Sequence, residues 1–199
     1  MTDPDGYRAA MESRYASGET PWDSGRPSHE LVRRIEAGDL PGHTILEIGC
    51  GTGTNAVELA RRGYQVTAVD LVELAVRKGR EKARAAGVEV AFHLGDVTRL
   101  ELGGPFDCVF DSGVYHGIRM RALPEFLAAL TRLTRRGSRW LSLAGNATEI
   151  TPNGPPVVTE SEFRNELGGI FEIVDVRTFR FDLAPDFQPL AWSILLRRR

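Results

Sequence analysis

One junction limits the folds open to this chain more than any other feature. The apolar run HTILEIG leads directly into Gly49, Gly51 and Gly53, and NAVELARRG follows with the pattern of a helix closed by Gly63. Glycines between a strand and a helix permit a tight turn and let the backbone approach a ligand closely. The helix start behind them offers free N–H groups and a partial positive charge. A second strand-like run, YQVTAVD, ends at Asp70, seventeen residues after Gly53. A carboxylate there can accept both hydroxyls of an adenosine ribose, and its charge strengthens each bond. The glycines run G-x-G-x-G. The third glycine of a nicotinamide fingerprint, G-x-G-x-x-G, would fall at position 54, which is Thr54.

The alternation continues down the chain. VELAVRKGREKARAAG reads as a long amphipathic helix closed by Gly87, VEVAFHLGD as a third strand and FDCVFDSG as a fourth. RALPEFLAALTRLTRRG reads as a helix with Gly137 as its stop, and SRWLSLAG as a fifth strand. Residues 146–158, rich in Pro, Gly and Asn, read as a loop. TESEFRNELGG then carries a capping box on Thr159 and Glu162. IFEIVDVRTFRF and LAWSILLRR have no helix-length segment between them, so an antiparallel pair is expected on an otherwise parallel sheet. Ahead of the first strand, residues 5–17 form a candidate helix. SHELVRRIEAG reads as another, with Ser28 as N-cap in a capping box and Leu31, Val32 and Ile35 as its apolar stripe.

The 199 residues suit one domain, 1–199, with 1–38 as an N-terminal helical segment. A net charge of −2 gives no footprint for nucleic acid or an anionic membrane. The closing Arg197, Arg198 and Arg199 read as a solvated tail. Cys50 and Cys108 fall in apolar runs and have no metal-ligand spacing, so no metal is expected and the cytoplasm is the expected compartment. No run approaches the ~20 apolar residues that cross a bilayer. His29, His43 and His93 read as structural or exposed.

ILEIGCGTG resembles motif I of class I S-adenosylmethionine-dependent methyltransferases. The resemblance implies a Rossmann-like three-layer α/β sandwich, its mostly parallel seven-stranded sheet carrying a reversed edge strand. It implies S-adenosylmethionine as cofactor and S-adenosylhomocysteine as product. It assigns cofactor contacts to Gly49, Cys50, Gly51 and Gly53 in the loop, and to Asp70 and Leu71 after the second strand. Gly95, Asp96 and Val97 would meet the adenine, and Asp111 and Ser112 would line the cleft at the end of the fourth strand. PWDSGRPSHEL further resembles the opening of a bacterial group similar to thiopurine, thiol and tellurite methyltransferases, where this segment folds over the cofactor as a lid. Trp22 would then face the sulfonium, or else pack the first helix onto the core. Arg26 would pair with the methionine carboxylate or an acidic substrate, or else join a surface ion pair.

The acceptor side rests on DSGVYHGIRM, in which members of that group carry an aromatic residue followed by His. Tyr115 and His116 are the candidate catalytic residues: His116 as a general base, or as a hydrogen-bond donor at a helix start. The fourth strand is not followed by N-P-P-[YF], and no cysteine stands in a Pro-Cys context. Both facts turn the expectation from nucleic acid to a small-molecule acceptor. A thiolate or another soft anion needs little help from a base, and DSGVYHGI offers no evident carboxylate–histidine pair. A thiol or chalcogen compound is therefore the leading acceptor. O- or N-methylation of a small aromatic or heterocyclic metabolite is the alternative within enzymes, and a non-catalytic cofactor-binding module the alternative outside them. The sequence leaves the oligomeric state open.

Overall fold

The computed structural model describes residues 4–150, 152, 154–183 and 187–199. Parts of the expected 146–158 loop, of the 1–38 segment and of the DLAPDFQP connection lie outside those residues. Helices α1 (Pro4–Ser17) and α2 (His29–Glu36) precede the alternating core. The core then runs β1 (Thr44–Ile48), α3 (Thr54–Arg61), β2 (Gln65–Asp70), α4 (Glu73–Ala86), β3 (Val90–Leu94), β4 (Phe106–Ser112), α5 (Tyr115–Leu133) and β5 (Thr134–Asn146). It closes with β6 (Val157–Val158), α6 (Glu160–Leu167), β7 (Phe171–Arg180) and β8 (Leu190–Arg198).

The sheet order is β3-β2-β1-β4-β5-β8-β7, and the two-residue β6 pairs with β5 to make eight strands. β3, β2, β1, β4 and β5 run parallel. The reversed strand is β8, antiparallel to both β5 and the outermost strand β7. The order turns back on itself between β1 and β4, where α3 and α5 leave the carboxyl ends of adjacent strands. Ligands of open α/β sheets bind in the crevice at such a switch point.

Two apolar clusters flank the sheet. One centres on Trp140, Tyr115, Phe126 and Phe163 beneath α5 and α6. The other gathers Ile45, Leu59, Phe92 and Leu195 beneath α3 and α4. A third, smaller cluster docks the N-terminal segment: Tyr15, with Met11 and Trp22, packs on Val72 and Ala75 at the start of α4. Among the described residues no helix is long and apolar enough to cross a membrane.

Three local expectations are corrected. Gly137 does not stop the helix: α5 ends at Leu133, Thr134 is already extended, and Gly137 lies inside β5. There the β4–β5 register shifts between Phe106 and Cys108. α5 also starts six residues before the expected Arg121 and kinks at Ala122, two residues before Pro124. Proline removes one helical hydrogen bond and crowds the preceding turn. Finally, Ser28 caps α2 by accepting from Leu31 N, but the third helical position is leucine, so the reciprocal half of a capping box is missing. Glu30 instead binds Arg33 and Arg34, and the fully buried Arg34 reaches Ser193 of β8. The box on Thr159 and Glu162 forms in full.

Candidate active site

The carboxyl ends of β1, β2, β3 and β4 bring Gly49–Gly53, Asp70–Leu71, Gly95–Val97 and Gly113 to one side of the sheet. The glycine turn is set by packing as much as by conformation. A Cβ on Gly49, at φ 66°, would lie 2.2 Å from Val114 Cγ2. One on Gly53, at φ 73°, would lie 2.9 Å from the Gly79 backbone of α4. Gly49 therefore keeps the β1 turn and the β4 turn in contact, and Gly53 lets α3 and α4 close.

Asp70 ties this turn to the second strand. Its two oxygens accept Gly51 N at 2.8 Å and Val72 N at 3.0 Å, one bond each. Each oxygen keeps a lone pair, which suits two ribose hydroxyls. Burial pushes the Asp70 carboxyl up, and these backbone donors pull it back. Gly95 N donates to the Asp70 carbonyl at 2.9 Å, fastening the third turn to the second. Asp96 accepts Thr98 N and Thr98 Oγ1 on one oxygen, while Val97 and Cys50 are buried. Glu47, on β1 behind the loop, is fully buried with Oε2 unpartnered among the described residues. Burial pushes its carboxyl up to about 8, so it is held as the neutral acid.

Polar contacts that the sequence did not reveal fasten the N-terminal segment to this loop. Thr52 Oγ1 donates to Asp23 at 2.8 Å and accepts from Lys82 Nζ at 2.8 Å. Lys82 also reaches Thr54 at 2.5 Å, and Ser28 N donates to Asn55 at 2.9 Å. Trp22 is half-buried, donates to Tyr15 Oη at 3.2 Å and carries Arg14 over its ring at 4.3 Å. Arg26 takes the surface alternative, pairing with Asp182 at 3.0 Å. His29, His43 and His93 are exposed.

The expected acceptor residues are placed otherwise than the sequence suggested. α5 begins at Tyr115, which turns that side chain into the core: it is fully buried, donates to Glu166 at 2.6 Å and meets Trp140 edge-on at 5.9 Å. Burial and Glu166 both push its phenol up. Tyr115 is therefore a core residue and does not face an acceptor. Asp111 is buried as well. One oxygen accepts Val114 N and Tyr115 N at the helix start, and the other accepts Trp140 Nε1 at 2.9 Å. Its oxygens hold the β4–α5 turn rather than line the cleft, while Ser112 beside it stays half-buried.

His116 is 4% exposed, and its Nδ1 accepts the Gly145 N–H at 2.8 Å. That bond occupies the lone pair a base would use and leaves Nε2 to carry the hydrogen. Burial holds the ring down at about 4, so it is neutral at physiological pH. The occupied Nδ1 and the low basicity of the buried ring both weigh against the general-base alternative. A donor placed by the helix start remains, with Nε2 beside Gly113.

A hollow of about 1210 Å³ lies at the opposite ends of the strands, lined by Thr44, Gln65, Val90 and Phe106. It is open, and the glycine turn and Asp70 do not line it. The candidate site lies at the carboxyl edge.

Fold and site together define an α/β enzyme with a glycine turn and a carboxylate side by side at the carboxyl edge of its sheet. The comparisons agree. A methyltransferase domain matches residues 45–137. The chain is 25% identical over 178 residues to a 2-heptyl-1-hydroxyquinolin-4(1H)-one methyltransferase of Mycobacteroides abscessus, covering 87% of this chain and 78% of that one. It is 27% identical over 158 residues to probable thiol methyltransferase 2 of Arabidopsis thaliana, covering 78% and 70%. A solved structure concerned with conversion of a disulfide bond into a thioacetal group during echinomycin biosynthesis superposes with a TM-score of 0.82 at 27% identity, covering 96% and 92%. The chain is a class I S-adenosylmethionine-dependent methyltransferase.

Proposed function

We propose that the protein methylates a small molecule at sulfur, or at another soft atom that arrives already ionised. The observation that carries this reading is the bonding of His116: its proton-accepting nitrogen is taken up by the Gly145 N–H, and burial makes the ring a weak base. An acceptor that sheds its proton to solvent before binding needs no such base. The thiol methyltransferase among the relatives points the same way.

In this reading the glycine turn and Asp70 hold the nucleoside, Leu71 and Gly95–Val97 border the adenine, and the described part of the N-terminal segment, up to residue 38, covers the cleft with Trp22 in the cover. S-adenosylmethionine supplies an electrophilic sulfonium methyl. The protein contributes alignment and water exclusion, which for well-oriented reactants are worth roughly 7–11 kcal/mol. A thiolate lone pair forms the new S–C bond, the old S–C bond breaks, and S-adenosylhomocysteine and a thioether leave. Charge is neutralised along this path, so a dry, closed site favours it.

A second reading, O- or N-methylation of an acidic hydroxylated heterocycle, draws on the hydroxyquinolone methyltransferase. It shares the requirement for a pre-ionised acceptor. Turnover of labelled cofactor with thiols, phenols and heterocycles separates the two. The expected result is methylation of thiols with a pH profile that moves with each thiol's own pKa. A single inflection common to all acceptors, abolished in His116→Asn, would restore the base and end the proposal.

A further inference from the structure

α1 crosses the site from the cofactor side to the acceptor side. At one end Tyr15 Oη lies 3.1 Å from where a Gly51 Cβ would stand. At the other, Tyr7 stacks under the guanidinium of Arg121, with Cζ 3.6 Å from the ring centroid. The two tyrosines are eight residues apart, about 12 Å along a helix. Arg121 closes the short first section of α5, just before the kink at Ala122 and six residues on from Tyr115, where the helix leaves the carboxyl end of β4.

Arg121 is half-buried, and one of its nitrogens donates to Gly117 O at 3.3 Å. Among the described residues it pairs with no carboxylate, whereas the neighbouring Arg119 is bound to Glu162 and Glu166. The ring beneath covers one face and fixes the plane, leaving an edge of N–H donors. A planar guanidinium held in this way matches a carboxylate in two-point fashion.

We propose that Arg121, stacked on Tyr7, binds a carboxylate at the acceptor end of the cleft, and that this carboxylate belongs to the methyl acceptor. The proposal rests on the small-molecule reading above. The other source of the same chemistry is the methionine carboxylate of the cofactor, for which the sequence offered Arg26, now paired with Asp182. Arg121 is a specificity residue in this account, and the substrate class becomes a thiol or acidic hydroxyl compound that also bears a carboxylate.

The test compares Arg121→Gln and Arg121→Lys with the wild type in binding and in turnover. Binding is measured by calorimetry for S-adenosylhomocysteine and for 5′-methylthioadenosine, which lacks the carboxylate, and then for benzoate against benzyl alcohol on the S-adenosylhomocysteine complex. Turnover is measured as kcat/KM for thiosalicylate against thiophenol. The expected result is a preference for the acid member of each pair that falls about 10- to 100-fold in Arg121→Gln, as for a charged hydrogen-bonded pair, and is partly kept in Arg121→Lys, with cofactor affinity unchanged. If S-adenosylhomocysteine weakens instead while 5′-methylthioadenosine does not, the carboxylate is the cofactor's and the acceptor assignment is overturned. No change in either pair overturns the site altogether. The benzoate comparison needs no turnover, so it stands even if every thiol proves inert and the sulfur reading fails.

Discussion

The two halves of the cleft are built on different rules. On the cofactor side, β1, α3 and β2 form a local device: glycines, a helix start and Asp70 within twenty-five residues, joined mainly by backbone groups. On the acceptor side, β4 and α5 set their turn through long-range side-chain bonds, Asp111 to Trp140 and His116 to Gly145. Backbone geometry can be read from residue type, because only glycine tolerates those turns. A side chain's bonding partner on another strand cannot. The lesson is that the half which binds the common part of the reaction is encoded locally, and the half which chooses the acceptor is encoded by the fold.

Substitutions test this contrast most strongly at Gly53. Gly53→Ala adds a Cβ at positive φ against the Gly79 backbone. It should cost roughly 3 kcal/mol or more of stability, seen as a lower urea midpoint. An unchanged midpoint would show that α3 and α4 need no such closeness.

Acid should expose the other half. His116 has an ordinary value of 6.5 and is held at about 4 when folded. The unfolded chain therefore takes the proton first, and stability present above 6.5 is lost as the pH falls through that window. The loss approaches about 3 kcal/mol. Glu47 has the opposite sign: raised from 4.5 to about 8, it favours the folded state at low pH and weakens it as the pH rises through that range. Urea unfolding across pH should show His116→Asn flattening the acid limb and Glu47→Gln the alkaline one. If neither limb changes, the buried state assigned to these groups is wrong.

Asp111→Ala should cost on the order of 2–3 kcal/mol, because Trp140 Nε1 and two backbone N–H groups lose their buried acceptor. Cofactor affinity should fall far less than stability; a selective loss of affinity would return Asp111 to the cleft. The smallest effect is expected at Asp23→Ala, about 1 kcal/mol or less, with faster proteolysis of the 4–28 segment.

Much of the fold was legible. The strand–helix alternation, the late antiparallel pair and the Thr159–Glu162 box all follow patterns confined to short windows. Gly137 misled because glycine marks a bulge as readily as a helix end, and the β4–β5 register that decides between them is a tertiary fact. The burial of Tyr115 and His116 was hidden for a related reason. Their place after a strand suggested a loop, but the helix begins at Tyr115 and turns both side chains inward. Lys82, Asp23 and Thr52 escaped notice because they stand about thirty residues apart and meet only when α4 packs on the glycine turn.

Calorimetric titration of S-adenosylhomocysteine into the wild type and Asp70→Ala bears most directly on the whole account. A sugar held by that carboxylate implies saturable one-to-one binding, weakened by about 1.5–3 kcal/mol in the variant. Equal affinity in the two proteins would contradict it.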